Sequence, residues 1–250
     1  MTKASKHPQW NNPTVIEAIV EIHLHKKISG KDFDKIHKLL KEAYHIERES
    51  LTQYVASVQQ QNFSIQKSDN KDFRIRTVLD SNIFSYLYRD KLSFHYLGNY
   101  LGWDSLKPCL KSVFEIITSV DKAIEYSQVG VRYINLIKEK KITQTIEHWL
   151  VHTSNYPKSL LKSKTDYFYR CKSFLKSNIW SQITIAEGKP LDKDVKPLLF
   201  DIDVIEKNTS PKQLDLNAFE QATSLHDLVY IIFESSISKN YINLLNKKRK

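Results

Sequence analysis

Apolar and polar residues alternate over residues 14–24, close to the start of the chain. One set of alternating positions is aliphatic and consists of Ile16, Ala18, Val20, Ile22 and Leu24. The other set is mixed and consists of Glu17, Ile19, Glu21 and His23. Because side chains of a strand point to opposite faces in turn, the pattern predicts a strand with one buried face.

The spacing then changes to that of an amphipathic helix over GKDFDKIHKLLKEAY, residues 30–44. Strand-like patterns follow at residues 53–66, 72–79, 83–88 and 91–97. The last two of these segments flank Arg89 and Asp90, which predicts a hairpin. A second helix is predicted over residues 104–120, because Asp104 is a suitable N-cap.

The second half of the chain shows a similar order of elements. A helical segment is predicted from about residue 215 to residue 245, and within it Ser224 and Asp227 have the spacing of a capping box. The predicted elements before it are a strand at 127–137, a short helical stretch around 142–150, and strands near 166–175, 179–187 and 197–206.

These elements predict an α+β fold in which residues 1–250 form a single compact domain. The halves, about 10–125 and 126–245, each consist of a strand, a helix, further strands and a helix, which predicts an internal pseudo-repeat. We expect antiparallel or mixed sheets with helices packed on them, followed by a basic tail at 246–250.

The chain is strongly basic, with a formal net charge of +10 and an isoelectric point of about 9.3. A basic balance indicates an anionic partner, and nucleic acid is the usual candidate. Only seven of the 38 basic residues are arginine, however, and lysine spread this evenly is also typical of compositional bias. The presence of only five glycines disfavours a glycine-rich phosphate loop.

Cysteine usage and hydropathy predict a cytoplasmic protein. Cys109 and Cys171 are isolated, which argues against a disulfide framework or a zinc knuckle. The N-terminal segment is polar, and Glu17 and Glu21 interrupt the first apolar run. The sequence therefore predicts neither a signal peptide nor a membrane span.

An arginine interrupts the strand pattern YSQVGVRYINLI, residues 126–137. Arg132 shares its face with Gly130 and aliphatic residues, so its guanidinium must be paired or must reach a cavity. Under the pseudo-repeat, this strand is equivalent to the first strand. We therefore expect a structural ion pair of Arg132 with Glu17 or Glu21.

Three further strands carry two charged residues at alternate positions, which places each pair on one face. The pairs are Arg74 with Arg76, Arg170 with Lys172, and Asp201 with Asp203. The basic pairs are candidates for binding phosphate or nucleic acid, and the acidic pair is a candidate for binding Mg²⁺ or Mn²⁺. The alternative is that each pair lies on an exposed sheet face with alternating charge.

Taken together, these acids and bases are similar to the strand-lined channel of the triphosphate tunnel enzymes. That similarity implies metal-dependent hydrolysis of a (tri)phosphate. The first strand of those enzymes reads Glu-x-Glu-x-Lys, whereas Glu17 and Glu21 are four positions apart here and no lysine is in register.

Histidines on two elements are weaker candidates for chemistry. His23 and His25 share the face of a strand, as two metal ligands do, but histidines near a strand end are more often exposed. His226 lies at the predicted helix start and is a candidate general base, although a capping or packing role is commoner.

Tryptophans and the C-terminal tail are candidates for contacts with nucleic acid. Trp103, Trp149 and Trp180 stack on bases if they are exposed, although a tryptophan more often seals the edge of a core. The basic residues Lys247, Lys248 and Arg249 are candidates for contacts with phosphate, although such a tail is usually solvated.

Five segments resemble, in order, the landmarks of a sporadically distributed prokaryotic family that has no assigned activity. They are PTVIEAIVEIHL (13–24), YLGW (100–103), VGVRYINLI (129–137), LLFDIDV (198–204) and LHDLVYIIFESSIS (225–238). The resemblance spans nearly the whole chain. The patchy distribution of that family resembles that of defence-associated genes, which implies a role in phage defence or in a toxin–antitoxin pair.

The sequence thus favours a non-enzymatic binding or adaptor protein that engages a partner protein, encoded nearby, or nucleic acid, with no cofactor. The first alternative is the metal-dependent phosphohydrolase, which would use Mg²⁺ or Mn²⁺. The second alternative is direct binding of nucleic acid through the lysine-rich surface.

Overall fold

A computed structural model describes residues 10–51, 54–59, 62–67, 72–98, 100, 102–141, 143–151, 167–189 and 193–247. The strands are β1 (Val15–Leu24), β2 (His45–Leu51), β3 (Tyr54–Gln59), β4 (Asn62–Lys67), β5 (Asp72–Asp80), β6 (Ile83–Leu87), β7 (Lys91–Leu97), β8 (Glu125–Ile137), β9 (Phe168–Lys176), β10 (Ile179–Glu187) and β11 (Leu198–Gln213). The helices are α1 (Gly30–Ala43), α2 (Leu106–Val120), α3 (Leu216–Ser236) and α4 (Lys239–Asn246), with single 3₁₀ turns at Trp103–Ser105 and Ile146–His148.

Nine of the described strands form one sheet in the order β2-β5-β6-β7-β1-β8-β11-β10-β9, and β3 and β4 form a separate two-stranded sheet. All of these pairings are antiparallel. The prediction of a mixed α+β fold with helices packed on an antiparallel sheet is therefore confirmed. In the described part of the predicted segment 53–66, two strands, β3 and β4, pair antiparallel, while residues 53, 60 and 61 lie outside the described ranges.

One face of the large sheet forms the core together with the helices. Phe94 on β7 packs against Phe114 on α2, and Phe200 on β11 stacks on Phe233 on α3. Four members of the aliphatic set of β1 are buried on this face, namely Ala18, Val20, Ile22 and Leu24, whereas Ile16 is 37% exposed. Burying that aliphatic surface is the main force that holds the helices on the sheet.

The opposite face of the sheet carries the mixed set of β1, and we call it the polar face. On β1 it presents Glu17 and Glu21, whose side chains are 25% and 35% exposed. Within the described ranges, the helices pack on the other face, so side chains of the polar face contact one another across the strands.

The helix boundaries differ from prediction at the C-terminal end. Helix α3 begins at Leu216, where the side chain of Asp215 accepts a hydrogen bond from the backbone N–H of Asn217. The proposed capping box is therefore wrong, since Ser224 lies inside the helix and its hydroxyl donates to the carbonyl of Glu220 at 3.2 Å. The helical segment is also divided, because Ile237, which lies between α3 and α4, leaves the helix and forms an isolated antiparallel β-bridge with Leu150.

A buried ionic cluster fixes the ends of three strands. The carboxylate of Glu187, at the end of β10, lies 2.7 Å from Nζ of Lys140 and 3.1 Å from Nζ of Lys196. Lys140 follows β8 and Lys196 precedes β11, and the backbone N–H of Lys196 donates to the carbonyl of Lys140. The three side chains are between 2% and 11% exposed, so one carboxylate holds two ammonium groups with little help from solvent.

In the part of the chain that the structure describes, no helix combines the length and the apolar character needed to cross a membrane.

Candidate functional site: the polar face of the sheet

The register of the sheet brings the predicted charged pairs onto the polar face. Side chains at directly paired positions point to the same face, so the members can be followed from strand to strand. They are Arg74 and Arg76 on β5, Glu17, Glu21 and His23 on β1, Arg132 on β8, Asp201 and Asp203 on β11, and Arg170 and Lys172 on β9. The sheet order ends at β2 and β9, and no pairing between these two described strands closes it into a tunnel.

Arg132 pairs with Asp201 rather than with Glu17 or Glu21, which corrects the ion pair expected from the sequence. Its Nε donates to Oδ1 of Asp201 at 2.8 Å and its Nη2 donates to Oδ2 at 2.7 Å. Asp203 is the residue directly opposite Arg132 on β11, so the guanidinium reaches diagonally to Asp201. This bidentate bond raises the pKa of Arg132, and Glu17 adds only a weaker electrostatic attraction.

Glu17 and Glu21 have partners on β1 and β7. Oε1 of Glu17 lies 2.7 Å from Nδ1 of His95, whose Nε2 lies 3.1 Å from the hydroxyl of Ser93. Glu21 lies 2.6 Å from His23 Nε2 and accepts a hydrogen bond from Lys91 at 2.8 Å. Hydrogen bonding by His23 and Lys91 lowers the pKa of Glu21 to about 2, although burial opposes the shift.

Asp203 is the acid of this group whose charge is least compensated. Removal from solvent raises its pKa to about 6, because the attraction of Arg132 is weaker than the cost of burial together with repulsion by Asp201 and Glu21. A Cβ built on Gly130 would lie 3.5 Å from Ile205 and 4.0 Å from Oδ1 of Asp203, which are ordinary van der Waals distances. The position of Asp203 therefore does not require glycine at residue 130.

We expect Asp203→Asn to stabilise the protein at neutral pH. The pKa of Asp203 is raised from its ordinary value of 3.8 to about 6 in the folded state. The free energy of unfolding therefore falls as the pH rises from 3.8 to about 6, and the full loss due to the buried charge is present above that interval. Asparagine removes the charge, which predicts a gain of about 2 kcal/mol above the interval and little change below it. Urea unfolding of the wild type and the variant over a pH series measures the difference in the free energy of unfolding above and below the interval. An equal difference at all pH values would contradict this explanation.

We expect Arg132→Met to destabilise the protein by about 2–3 kcal/mol, because it leaves the carboxylate of Asp201 without its cation. The side chain of Asp201 is 7% exposed while that of Arg132 is 44% exposed, so solvent reduces the loss below that of a fully buried pair. The same variant should move the pH transition of Asp203 upward. Arg170→Met, which alters an exposed arginine on the same face, is the control, and a similar loss in both variants would refute the assignment.

The candidate metal ligands are not arranged for metal binding in the described residues. Both carboxylate oxygens of Asp201 accept hydrogen bonds from Arg132. In the ranges that the structure covers, no group of three or more His, Cys, Asp or Glu side chains is placed to hold a metal ion. His25 lies beyond the end of β1 and so does not share a strand face with His23.

Arg74 and Arg76 are engaged with aromatic rings of the neighbouring strand. Their guanidinium carbons lie 4.4 Å from the ring centroids of Tyr86 and Phe84, respectively. Arg76 also donates to Glu47 at 3.1 Å. The carboxylate of Glu47 compensates the charge of Arg76, whereas β9 carries no acidic residue, which favours β9 as the strand that offers cations to a ligand.

The other basic pair lies on the exposed terminal strand of the sheet, between two phenylalanines. We define the aromatic–basic strip as Phe168, Arg170, Lys172 and Phe174 of β9 with Trp180 of β10. The guanidinium of Arg170 lies 5.6 Å from the ring centroid of Phe168, and Nζ of Lys172 lies 4.8 Å from that of Trp180. Strand β9 contains no acidic residue, so the strip is cationic.

The phenyl groups of the strip are unusually exposed. Phe174 is 75% exposed and Phe168 is 67% exposed, more than any other large hydrophobic side chain in the described ranges. Sequence reasoning found the two cations by their spacing but did not include the phenylalanines. The same alternation that selected Arg170 and Lys172 also selects Phe168 and Phe174, so this signal was present.

The remaining candidates lie in the core or in the tail. Trp103 is 8% exposed and stacks on Phe219 and His226, so both Trp103 and His226 belong to the packing between α2 and α3. Trp149 is also buried. Lys247 is exposed at the end of α4, and Lys248 and Arg249 lie outside the described residues.

Sequence reasoning missed Lys91, Ser93 and His95, which belong to the polar face. They occupy alternate positions of β7, and their direct neighbours on β1 are His23, Glu21 and Ile19. A count of polar residues at alternate positions of KLSFHYL would have found them.

Compared with known proteins, the sequence matches no family model and no curated protein.

Proposed function

We propose that this chain is a binding protein that uses the aromatic–basic strip to hold single-stranded nucleic acid. The observation that carries the proposal is the exposure of Phe168 and Phe174, at 67% and 75%, on either side of two cations on one strand face. Unpaired bases stack on exposed aromatic rings, and cations beside the rings contact the phosphates. A duplex hides the faces of its bases, so the strip favours single strands.

The charge distribution supports this proposal. The contacts of Arg170 and Lys172 are with uncharged groups, namely the ring of Phe168, the hydroxyl of Thr184 and the ring of Trp180. A phosphate would thus gain a charge-assisted hydrogen bond without displacing a carboxylate. The net charge of +10 adds a long-range attraction for any polyanion.

The experiment is a fluorescence anisotropy titration of the purified protein with short labelled single strands and duplexes, in DNA and RNA. We expect single strands to bind more tightly than duplexes of equal length, and affinity to fall steeply as salt is increased. Binding that is insensitive to salt, or that prefers duplexes, would refute the proposal.

We further propose that the two halves of the chain are a pseudo-repeat. Strands β1 and β8 are neighbours inside the sheet, and each is flanked on its outer side by the last strand of its own half, β7 or β11. A helix follows each of these last strands, α2 after β7 and α3 after β11. Under this proposal β5 and β9 are equivalent, which accounts for a basic pair on each.

The family resemblance supports a setting in prokaryotic phage defence or a toxin–antitoxin pair, in the cytoplasm, with a protein partner encoded nearby. The test is affinity capture from the native host with and without nuclease treatment. A partner retained after nuclease treatment binds the protein directly. A partner lost on treatment is recruited through the nucleic acid.

A further inference from the structure

We propose that Ser93, His95 and Glu17 form a hydrolytic triad on the polar face that cleaves carboxylic esters. This activity is additional to nucleic-acid binding and uses none of the residues of the aromatic–basic strip. Ser93 is the nucleophile, His95 is the general base, and Glu17 is a positioning residue that holds the imidazole.

The side chains have the connectivity that such a triad requires. Oε1 of Glu17 lies 2.7 Å from Nδ1 of His95, and Nε2 of His95 lies 3.1 Å from Oγ of Ser93. Both distances lie within the range at which a base activates a nucleophile and is itself oriented by a third group. Because the carboxylate accepts the Nδ1 proton, neutral His95 has its lone pair at Nε2, directed at the serine hydroxyl.

The sheet itself produces this arrangement. Ser93 and His95 alternate with buried residues on β7 and so share the polar face, while the register places Glu17 on the adjacent strand, diagonal to His95. The ring of Tyr86 meets the imidazole edge to face at 5.1 Å and restricts its rotation. The side chain of His95 is 20% exposed, whereas Ser93 is buried, at 4% exposed.

The reaction needs only the ester and water. Oγ of Ser93 attacks the carbonyl carbon while its proton passes to Nε2 of His95, and the resulting tetrahedral intermediate expels the alkoxide, which leaves as the alcohol with that proton. Water then attacks the acyl-serine ester and gives its proton to Nε2. Collapse of this second intermediate releases the carboxylic acid and returns the proton to Oγ of Ser93.

The test is covalent labelling of the intact protein with a fluorophosphonate, without nucleic acid, followed by peptide mapping and by turnover of p-nitrophenyl acetate. We expect the label on Ser93, no labelling or turnover above background in Ser93→Ala, and unchanged labelling in Ser181→Ala. Ser181 is a matched control, since it is 3% exposed and lies on the sheet face opposite the polar face.

Two further variants distinguish a triad from a structural hydrogen-bond network. His95→Gln retains a polar side chain but no base, and it should slow labelling by about 10²–10⁴-fold. Glu17→Gln should slow labelling while Ser93 remains the labelled residue. The proposal is overturned if the wild-type protein takes up no label, if the label lies elsewhere, or if His95→Gln reacts at the wild-type rate.

Discussion

Glu187→Gln should destabilise the protein by about 3–5 kcal/mol, the largest loss that we expect from a single conservative change. The carboxylate is the shared counter-ion of Lys140 and Lys196, at 2.7 Å and 3.1 Å. Their side chains are 2% and 10% exposed, so solvent cannot replace it. Removing one partner of a buried pair leaves an uncompensated charge, which costs far more than the pair contributes.

Chemical denaturation measures this loss, and the unfolding midpoint should fall by about 10 °C in a thermal melt. The matched control is Glu115→Gln, whose carboxylate lies 3.7 Å from Lys111 with both side chains more than half exposed. That pair lies on a helix surface and should contribute under 1 kcal/mol. Equal losses in the two variants would show that water reaches the Glu187 cluster.

The strands were predictable because burial on one side of a sheet imposes a period of two. The charged pairs of β5, β9 and β11 appear in the structure on the faces that their spacing indicated, and four of the five aliphatic residues of β1 are buried as predicted. Helices α1 and α2 begin and end within a few residues of prediction, because an apolar stripe is a local signal. The predicted cap Asp104 is wrong, since it lies in the 3₁₀ turn and the residue that precedes α2 is Ser105.

The partners of the charged side chains were less predictable, since they depend on register between strands far apart in the chain. Arg132 was expected to bind Glu17 or Glu21 on the neighbouring β1, yet β11 lies on its other side and supplies Asp201. Likewise, Lys140 lies in a run of charged residues that resembles a solvated loop. Only the tertiary structure brings Glu187 to it.

Replacing both Phe168 and Phe174 by alanine should weaken binding of single-stranded nucleic acid by about 10²-fold or more. Stacking of a base on an aromatic side chain contributes about 1–3 kcal/mol, so each ring that holds a base accounts for about a tenfold change in affinity or more. Both rings are largely solvent-exposed, so their removal should leave thermal stability nearly unchanged. Anisotropy titration of the variant against labelled single strands measures the change.

The response to salt separates stacking from charge. The phenylalanine variant should bind more weakly at every salt concentration, with an unchanged slope of the logarithm of affinity against the logarithm of salt concentration. The double variant Arg170→Ala with Lys172→Ala should reduce the magnitude of that slope by about 1.4, because each lost phosphate contact contributes about 0.7. Leu216→Ala with Ile231→Ala, which removes 40% and 58% exposed side chains from α3, controls for loss of surface hydrophobicity. If this control weakens binding as much as the phenylalanine variant does, the nucleic acid is not held on the aromatic–basic strip.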